Sequence, residues 1–284
     1  CFRDEDGRAD RQPEFTQFDM EMSFIDERDI QGVVEGMYRH AFKELLDIDL
    51  PLPLPRLTWK EAMERFGSDK PDTRFGLELK IVDDVVRGCG FAVFEGALAN
   101  GQTVCAFRAP HASHFTRKEL DALGELAKTY HVKGLAWAIV QEDGTLRSSF
   151  AKAMQGDSMQ RLLNALGVEK GDAIFVIADK KYVALTALGQ LRLRLGNELG
   201  LIDQTKYNLL WITEFPLFEY SEEEGRFVAQ HHPFTSPLEE DIPLLETDQG
   251  AVRARAYDLV LNGLEMGSGS IRIHRSELQE QMFG

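Results

Sequence analysis

The sequence contains 284 residues, of which 43% are hydrophobic and 28% charged, values typical of a folded globular protein with more than one core. No apolar run is long enough to cross a bilayer, and the charged residues at positions 1–15 argue against a secretory leader, so we expect a cytoplasmic protein. The net charge of −15 argues against a protein that coats nucleic acid non-specifically, because such binding requires a basic surface.

Near the start of the chain, residues 15–24 alternate between apolar and polar side chains, and every second residue from Phe18 to Phe24 is apolar. Alternation with a period of two predicts a strand with one buried face. Residues 1–5 also have a strand-like pattern. The polar residues 6–14 between the two segments therefore indicate an antiparallel hairpin with a long loop.

An amphipathic helix is predicted over residues 29–46, because Val33, Met37, Ala41 and Leu45 recur at every fourth position. This apolar stripe is the face expected to pack against a core. The prolines that follow, at positions 51, 53 and 55, exclude a helix there.

The middle of the sequence alternates predicted strands and helices. Thr116 and Glu119 have the spacing of a capping box, which opens a helix. Short apolar runs at residues 134–140 and 173–179 are typical of buried strands, and the apolar spacing within residues 159–166 indicates a further helix.

Strand patterns return in the last third of the chain, at residues 209–213, around residues 227–235 and at residues 270–274. The acidic run 222–224, followed by Gly225, indicates a hairpin turn between two of these strands.

The charge is distributed unevenly, with −7 in residues 1–71, +1 in residues 72–206 and −9 in residues 207–284. Two acidic flanks around a neutral middle suggest one domain interrupted by another. The predicted boundaries are 1–76 and 205–284 for the two parts of the outer domain and 77–204 for the inserted domain.

The cysteines Cys1, Cys89 and Cys105 include no C-x-x-C pair, which argues against a disulfide framework or a zinc site. The chain begins directly in strand-like sequence and not at a methionine. We therefore expect it to be part of a longer protein.

Two arginines recur among carboxylates on the polar faces of the predicted strands. These faces carry Arg3, Glu5, Gln17, Asp19, Glu21 and Arg272. A solvated sheet face explains any one of these residues. Arginine, however, suits planar recognition of carboxylate or phosphate, and clustered carboxylates suit Mg²⁺ that carries a polyphosphate. Together they predict a site for a small anionic ligand and a nucleotide.

Three segments resemble a known family. FRDEDGRADRQPEFTQFDMEMSF, at 2–24, closely resembles motif 2 of class II aminoacyl-tRNA synthetases in its bacterial aspartyl form. HHPFT at 231–235 is similar to the family's substrate-capping segment, and YDLVLNGLEMGSGSIRIH at 257–274 to its aspartate- and metal-binding segment. The middle of the chain resembles the family's insertion domain, of a GAD-like type also found in a tRNA-dependent amidotransferase. The resemblance implies an α+β fold, in which an antiparallel sheet with helices carries the site and an α+β domain is inserted.

The resemblance also implies roles for individual residues. For ATP binding it implies Arg3, Asp4, Glu5, Gln12, Phe15 and Glu265. For aspartate binding it implies Arg3, Asp19, His231, His232 and Arg272. For Mg²⁺ it implies Asp19, Glu21 and Glu265. Arg3 and Glu265 are the catalytic candidates. Arg3 would hold the α-phosphate and the substrate carboxylate, Phe15 would stack on adenine, and Arg272 would distinguish aspartate from asparagine.

The implied reaction is the ATP-dependent activation of L-aspartate, followed by its transfer to tRNA(Asp), with tRNA(Asn) left open as a second acceptor. The implied assembly is a homodimer formed through segments outside this sequence, without a membrane. Neither motif 1 nor motif 3 nor an anticodon-binding domain is found, so we expect these 284 residues alone to be inactive. Two alternatives remain open: an asparagine synthetase-like enzyme that makes aspartyl-adenylate, and a tRNA-binding accessory module.

Overall fold

A computed structural model describes residues 1–4 and 11–283. Its helices are α1 (Glu27–Leu46), α2 (Trp59–Phe66), α3 (Asp83–Val86), α4 (Ala92–Ala99), α5 (Arg117–Lys128), α6 (Ser158–Leu166), α7 (Lys181–Glu198) and α8 (Ser276–Phe283). Its strands are β1 (Arg56–Thr58), β2 (Lys80–Ile81), β3 (Thr103–Ala109), β4 (Ala136–Val140), β5 (Leu146–Ser148), β6 (Ala173–Asp179), β7 (Leu209–Thr213), β8 (Phe218–Ser221), β9 (Arg226–Ala229), β10 (Ala256–Leu261) and β11 (Leu264–Ser270). Three short 3-10 helices cover Ala151–Ala153, Glu239–Leu245 and Gln249–Ala251.

The chain forms two compact units, one made of Cys1–Arg56 with Leu209–Gly284 and the other of Leu57–Asn208. Helices and antiparallel sheets in each unit confirm the predicted α+β class. In the described part of the chain, no helix is both long and apolar enough to cross a bilayer.

The outer unit is built on a sheet with strand order β1-β7-β10-β11. Helix α1 packs on one face of this sheet, where Phe42 meets a core that includes Trp211, Tyr257 and Leu259. The strand predicted at residues 209–213 is confirmed as β7. The acidic turn is also confirmed, because β8 and β9 pair as an antiparallel hairpin on either side of it.

Helix α1 confirms the predicted helix but corrects its buried face. Asp26 and Asp29 form the capping box that begins it. The predicted stripe is turned outward, since Val33 is 49% and Leu45 80% exposed. The buried face instead includes the polar residue Glu35, whose Oε1 accepts hydrogen bonds from Trp211 Nε1 (3.0 Å), from the backbone N–H of Leu54 (3.3 Å) and from Arg56 (3.3 Å). A carboxylate can occupy a core position when donors satisfy it, and periodicity alone does not indicate that.

The strand predicted over residues 15–24 is wrong. This segment has no regular secondary structure. Its apolar residues are turned to solvent, with Phe18 71% exposed and Phe24 106% exposed. Alternation sorts side chains into two faces but does not supply a neighbouring strand. Among the described residues at this end of the chain, residues 1–3 pair through the backbone with residues 13–15.

Two further strand predictions hold only in part. Strand β9 ends at Ala229, and residues 230–234 form a bend and a turn before Thr235 makes an isolated bridge to Arg272. Strand β11 ends at Ser270, and the segment predicted at 270–274 continues beyond it through that bridge and through backbone hydrogen bonds of Ile271 and Ile273.

The inserted unit is a three-layer structure around a sheet of order β2-β3-β6-β4-β5. The predicted strands at 134–140 and 173–179 are its members β4 and β6. Residues of α5 and α7 pack on one face of the sheet, and residues of α3, α4 and α6 on the other. Burial on both faces accounts for the continuous apolar runs of these strands.

Residues 57–76 belong to the inserted unit, whereas the predicted boundary at 77 places them outside it. The physical reason is the buried Arg192 of α7, which donates to the backbone carbonyls of Asp72 (2.8 Å), Phe75 (3.0 Å) and Gly76 (3.2 Å). These bonds tie the segment before residue 77 to the longest helix of the unit. Whether residues 77–204 fold alone stays a prediction.

Candidate active site in the outer unit

The β10–β11 hairpin carries Glu265, which is predicted to be catalytic and to bind Mg²⁺. Asn262 and Gly263 form its two-residue turn, both with positive φ (52° and 91°). Such a turn matches the twist of the strands, and Asn-Gly is its strongest sequence signal. The Asn-Gly dipeptide at 262–263 thus marks this hairpin in the sequence.

A register shift in this hairpin determines which side chains share a face. Glu265 pairs with Val260, and Ser268 pairs with Asp258. Directly opposed residues point to the same face, and Val260 and Asp258 lie on one face of β10. Glu265 and Ser268 therefore lie on the same face although they are three residues apart, because the bulge takes up one residue. Tyr257 pairs with Gly269 on the opposite face, against α1.

The carboxylate of Glu265 accepts a hydrogen bond from Arg11, whose Nη2 lies 3.1 Å from Oε2. Arg11 belongs to the motif 2-like segment, so this contact brings residue 11 of that segment to the β10–β11 hairpin. Our sequence analysis missed Arg11, because nothing local to a loop arginine indicates a partner 254 residues away.

Arg3 and Phe15, predicted to bind ATP, lie together. The backbone N–H of Arg3 donates to the carbonyl of Pro13 (2.9 Å), and that of Phe15 to the carbonyl of Cys1 (3.1 Å). The Arg3 guanidinium lies 5.2 Å from the centre of the Phe15 ring, within cation–π range. Glu5 lies outside the described residues.

Arg272 and His232, both predicted to bind aspartate, are in contact. Arg272 Nη1 lies 3.2 Å from His232 Nδ1, which also accepts the backbone N–H of Phe234 at 3.2 Å. Because two donors point at Nδ1, we assign it as the unprotonated ring nitrogen. Burial, and then the charges of Arg272 and His231, lower the pKa of His232. The imidazole is thus neutral near pH 7 and can accept from the guanidinium.

Backbone hydrogen bonds hold the two segments that carry this pair. Ser236 N donates to the Ile271 carbonyl (2.8 Å), and Ile273 N to the Phe234 carbonyl (2.9 Å). The neighbouring His231 packs its ring edge-on against Phe215, with centroids 5.2 Å apart. These contacts place His232 beside the segment that follows β11 and His231 against Phe215.

The predicted magnesium ligands do not form a site made of protein groups alone. Within residues 1–4 and 11–283, no three His, Cys, Asp or Glu side chains lie close enough to hold a metal ion. Asp19 and Glu21 are exposed on the segment without regular structure, and Glu265 is paired with Arg11. Magnesium commonly takes one or two carboxylates with substrate phosphates, so Glu265 fits a metal only in company with ATP.

The structure leaves other predicted residues apart from these contacts. Asp4 and Gln12 are exposed. Among the described residues, Arg3 contacts Phe15 and Arg272 contacts His232. Convergence of Arg3 with Arg272 stays a prediction.

Comparison with curated proteins gives similar relatives along the whole chain. The aspartate–tRNA(Asp/Asn) ligase of Lachnoclostridium phytofermentans is 56% identical over 283 residues, covering 100% of this chain and 47% of that protein. The aspartate–tRNA ligase of Ruminiclostridium cellulolyticum is 54% identical over 283 residues, covering 100% of this chain and 48% of that protein. The aspartate–tRNA ligase of Clostridium perfringens is 52% identical over 284 residues, covering 100% of this chain and 47% of that protein. The chain thus spans about half the length of the curated relatives it matches.

The match to a family model has the same extent. The model described as tRNA synthetases class II (D, K and N) matches residues 1–284. The match therefore covers both the outer unit and the inserted unit. The chain therefore belongs to the class II tRNA synthetase family (D, K and N).

Proposed function

We propose that the full-length protein containing this chain is an aspartate–tRNA ligase. The observation that carries the proposal is identity of 52–56% along the entire chain to relatives named for that reaction. The substrates would be ATP, L-aspartate and tRNA(Asp). The name of one relative includes tRNA(Asn), so a second acceptor belongs to the proposal. A homodimer formed through segments outside this chain, acting in the cytoplasm, is the expected assembly.

In the first step, a carboxylate oxygen of aspartate attacks the α-phosphorus of ATP. The bond from this phosphorus to the bridging oxygen breaks, and pyrophosphate leaves. Arg3 would neutralise charge that builds on the α-phosphate, which is the main contribution a protein makes to phosphoryl and nucleotidyl transfer. Magnesium would neutralise part of the phosphate charge, with Glu265 as the proposed protein ligand. Asp4, Glu5 and Gln12 stay candidates for further contacts with ATP.

Phe15 would orient the nucleotide by stacking on adenine. Arg3 already covers the ring at 5.2 Å. A guanidinium and an aromatic ring side by side suit a planar base and the phosphate that follows it.

Arg272 would select aspartate by pairing its planar fork with the side-chain carboxylate. An amide in the same position offers one acceptor and one unfavourable donor, so asparagine would be rejected. His232 would keep the fork in place through Nδ1. His231 and Asp19 are candidates for the substrate's amino group.

In the second step, a hydroxyl of the 3′-terminal adenosine attacks the adenylate carbonyl, and AMP leaves. No protein nucleophile is required, since the adenylate is already activated. Positioning of the two substrates supplies the rate enhancement.

Aspartate-dependent exchange of pyrophosphate into ATP, followed by tRNA charging with aspartate, tests the proposal in the full-length protein. Exchange and charging together support a ligase. Exchange together with formation of asparagine from ammonia would identify the asparagine synthetase-like alternative. Absence of both exchange and charging would support the tRNA-binding accessory module. The 284-residue chain alone is expected to show no exchange.

A further inference from the structure

A small pocket lies in the inserted unit, between the end of α5 and the start of α7. Its volume is about 330 Å³. It is lined by Thr129, Tyr130, His131, Tyr182, Val183 and Thr186. Three rings on a short stretch of surface offer flat faces, and two threonines offer hydroxyl groups, which is a composition suited to a planar ligand with polar edges.

The ring of Tyr182 is exposed to solvent and also packs against a neighbouring ring. It is 43% exposed, and its ring contacts that of Trp59 with centroids 5.0 Å apart. A ring supported in this way loses little freedom when a ligand stacks on it, so less of the stacking free energy is spent on ordering.

Lysines neighbour the lining residues of the pocket in sequence. Lys128 and Lys133 lie on either side of residues 129–131, and Lys180 and Lys181 precede Tyr182. The Nζ of Lys181 lies 5.6 Å from the centre of the Tyr182 ring. Lys128 pairs with Glu125 and Lys181 with Glu64, each at 2.7 Å. Lys133 is exposed and makes no ion pair or hydrogen bond with any residue that the structure describes. Lys133 therefore offers an exposed ammonium group that no described acidic side chain pairs with.

The distribution of charge along the chain also favours the inserted unit as the part that binds a polyanion. The outer segments carry −7 and −9, whereas residues 72–206 carry +1. A polyanion is repelled by the acidic flanks and meets its least unfavourable potential on the inserted unit. Within that unit the pocket combines lysines with exposed rings, the combination by which proteins hold single-stranded nucleic acid.

We propose that this pocket binds one unpaired nucleotide of the tRNA substrate, with the base stacked on Tyr182 and a phosphate near Lys133. The proposal rests on the proposed function in that the RNA is a tRNA. It gives the inserted unit a role in holding RNA, separate from the chemistry of the outer unit.

The test is tRNA affinity in the full-length protein, measured by fluorescence titration at several salt concentrations. Tyr182→Ala should weaken binding about tenfold, since stacking of one base contributes on that order, and Tyr182→Phe should keep wild-type affinity. Lys133→Ala should weaken binding and lower the salt slope by about one. Lys118→Ala, at the other end of α5, is the charge-matched control and should change neither quantity.

Unchanged tRNA affinity in both Tyr182→Ala and Lys133→Ala overturns the inference, and so does equal loss in Tyr182→Ala and Tyr182→Phe, because a ring without its hydroxyl should still stack. Thermal unfolding of each variant identifies misfolding, and the surface variant Lys133→Ala keeps the test decisive if Tyr182→Ala does not fold. Absence of aspartate-dependent exchange in the wild-type protein would contradict the proposed function. Intact exchange with unaltered tRNA affinity in the variants would contradict only the proposed role of the pocket.

Discussion

The guanidinium of Arg272 donates to Nδ1 of His232 across 3.2 Å, so a neutral imidazole fixes the position of a cation. A cation beside a histidine disfavours protonation of the ring, and burial acts in the same direction. The pair therefore presents one positive group with a defined orientation.

Replacing Arg272 by lysine in the full-length enzyme should weaken the use of aspartate far more than the use of ATP. Lysine retains the charge but loses the planar fork. An imperfectly paired carboxylate costs roughly 2–5 kcal/mol. Exchange kinetics with aspartate and ATP varied separately will measure the two effects. Equal kcat/KM for aspartate in variant and wild type would show that Arg272 does not contact the substrate.

Acid should weaken aspartate binding through His232. Its pKa is lowered in the folded protein, so the neutral form and the bond to Arg272 are complete above the ordinary histidine value of about 6.5 and are lost as the pH falls through the lowered pKa. His232→Asn supplies an acceptor that does not titrate, and its pH profile for kcat/KM should be flatter on the acid side. His231→Asn, at the neighbouring histidine, is the matched control. Identical acid limbs in wild type and His232→Asn would contradict the assignment.

Glu35→Ala should destabilise the 284-residue chain by roughly 3–5 kcal/mol, because the indole N–H of Trp211 and the cation of Arg56 lose a buried acceptor. Glu35→Gln keeps an acceptor oxygen and should cost clearly less. Urea unfolding followed by tryptophan fluorescence compares the two. Similar losses in both variants would mean that side-chain volume, and not hydrogen bonding, dominates at this position.

Gly189→Ala and Gly124→Ala form a matched pair of helical substitutions. A Cβ at Gly189 would lie 2.6 Å from the carbonyl oxygen of Gly67, whereas a Cβ at Gly124 meets no atom within 4 Å. Alanine favours a helix over glycine by about 0.8–1.0 kcal/mol, so Gly124→Ala should stabilise the inserted unit. Gly189→Ala should destabilise it, since two backbones must move apart. A higher melting temperature for Gly189→Ala would refute this close approach.

The fragment 57–208 should unfold cooperatively, and the fragment 77–204 should be less stable. The shorter fragment removes the carbonyl groups of Asp72, Phe75 and Gly76, to which the buried Arg192 donates. A buried cation without acceptors is costly. Circular dichroism melts of both fragments provide the measurement. Equal stability would mean that the sequence-based boundary at 77 is adequate.

Features that depend on residues close in sequence could be predicted from the sequence, whereas features that depend on distant residues could not. The capping box of Thr116 and Glu119 and the strand at 173–179 depend on neighbours in sequence, and both appear as predicted. The buried face of α1 depends on Trp211, 176 residues from Glu35, and the prediction there was wrong.

Some residues of the candidate site could likewise be predicted from the sequence, and others could not. His232 and Arg272 were chosen through resemblance to a family, and the structure brings them into contact. Arg11 was not chosen, since its partner Glu265 lies on a distant hairpin. The alternation of residues 15–24 suggested a sheet strand, but a pattern of side chains cannot specify which backbone, if any, will pair with it.

The bulge in β11 makes chain length at this hairpin as important as residue identity. Removing one residue between Glu265 and Ser268 would remove the bulge and leave the carboxylate and the serine on one face by simple alternation, whereas adding one residue there would turn one of them toward α1. A substitution there changes one side chain, whereas an insertion changes the face of every later residue of the strand. Gene variants of this segment should therefore tolerate exchanges of residues more readily than a frame-preserving gain of a single codon.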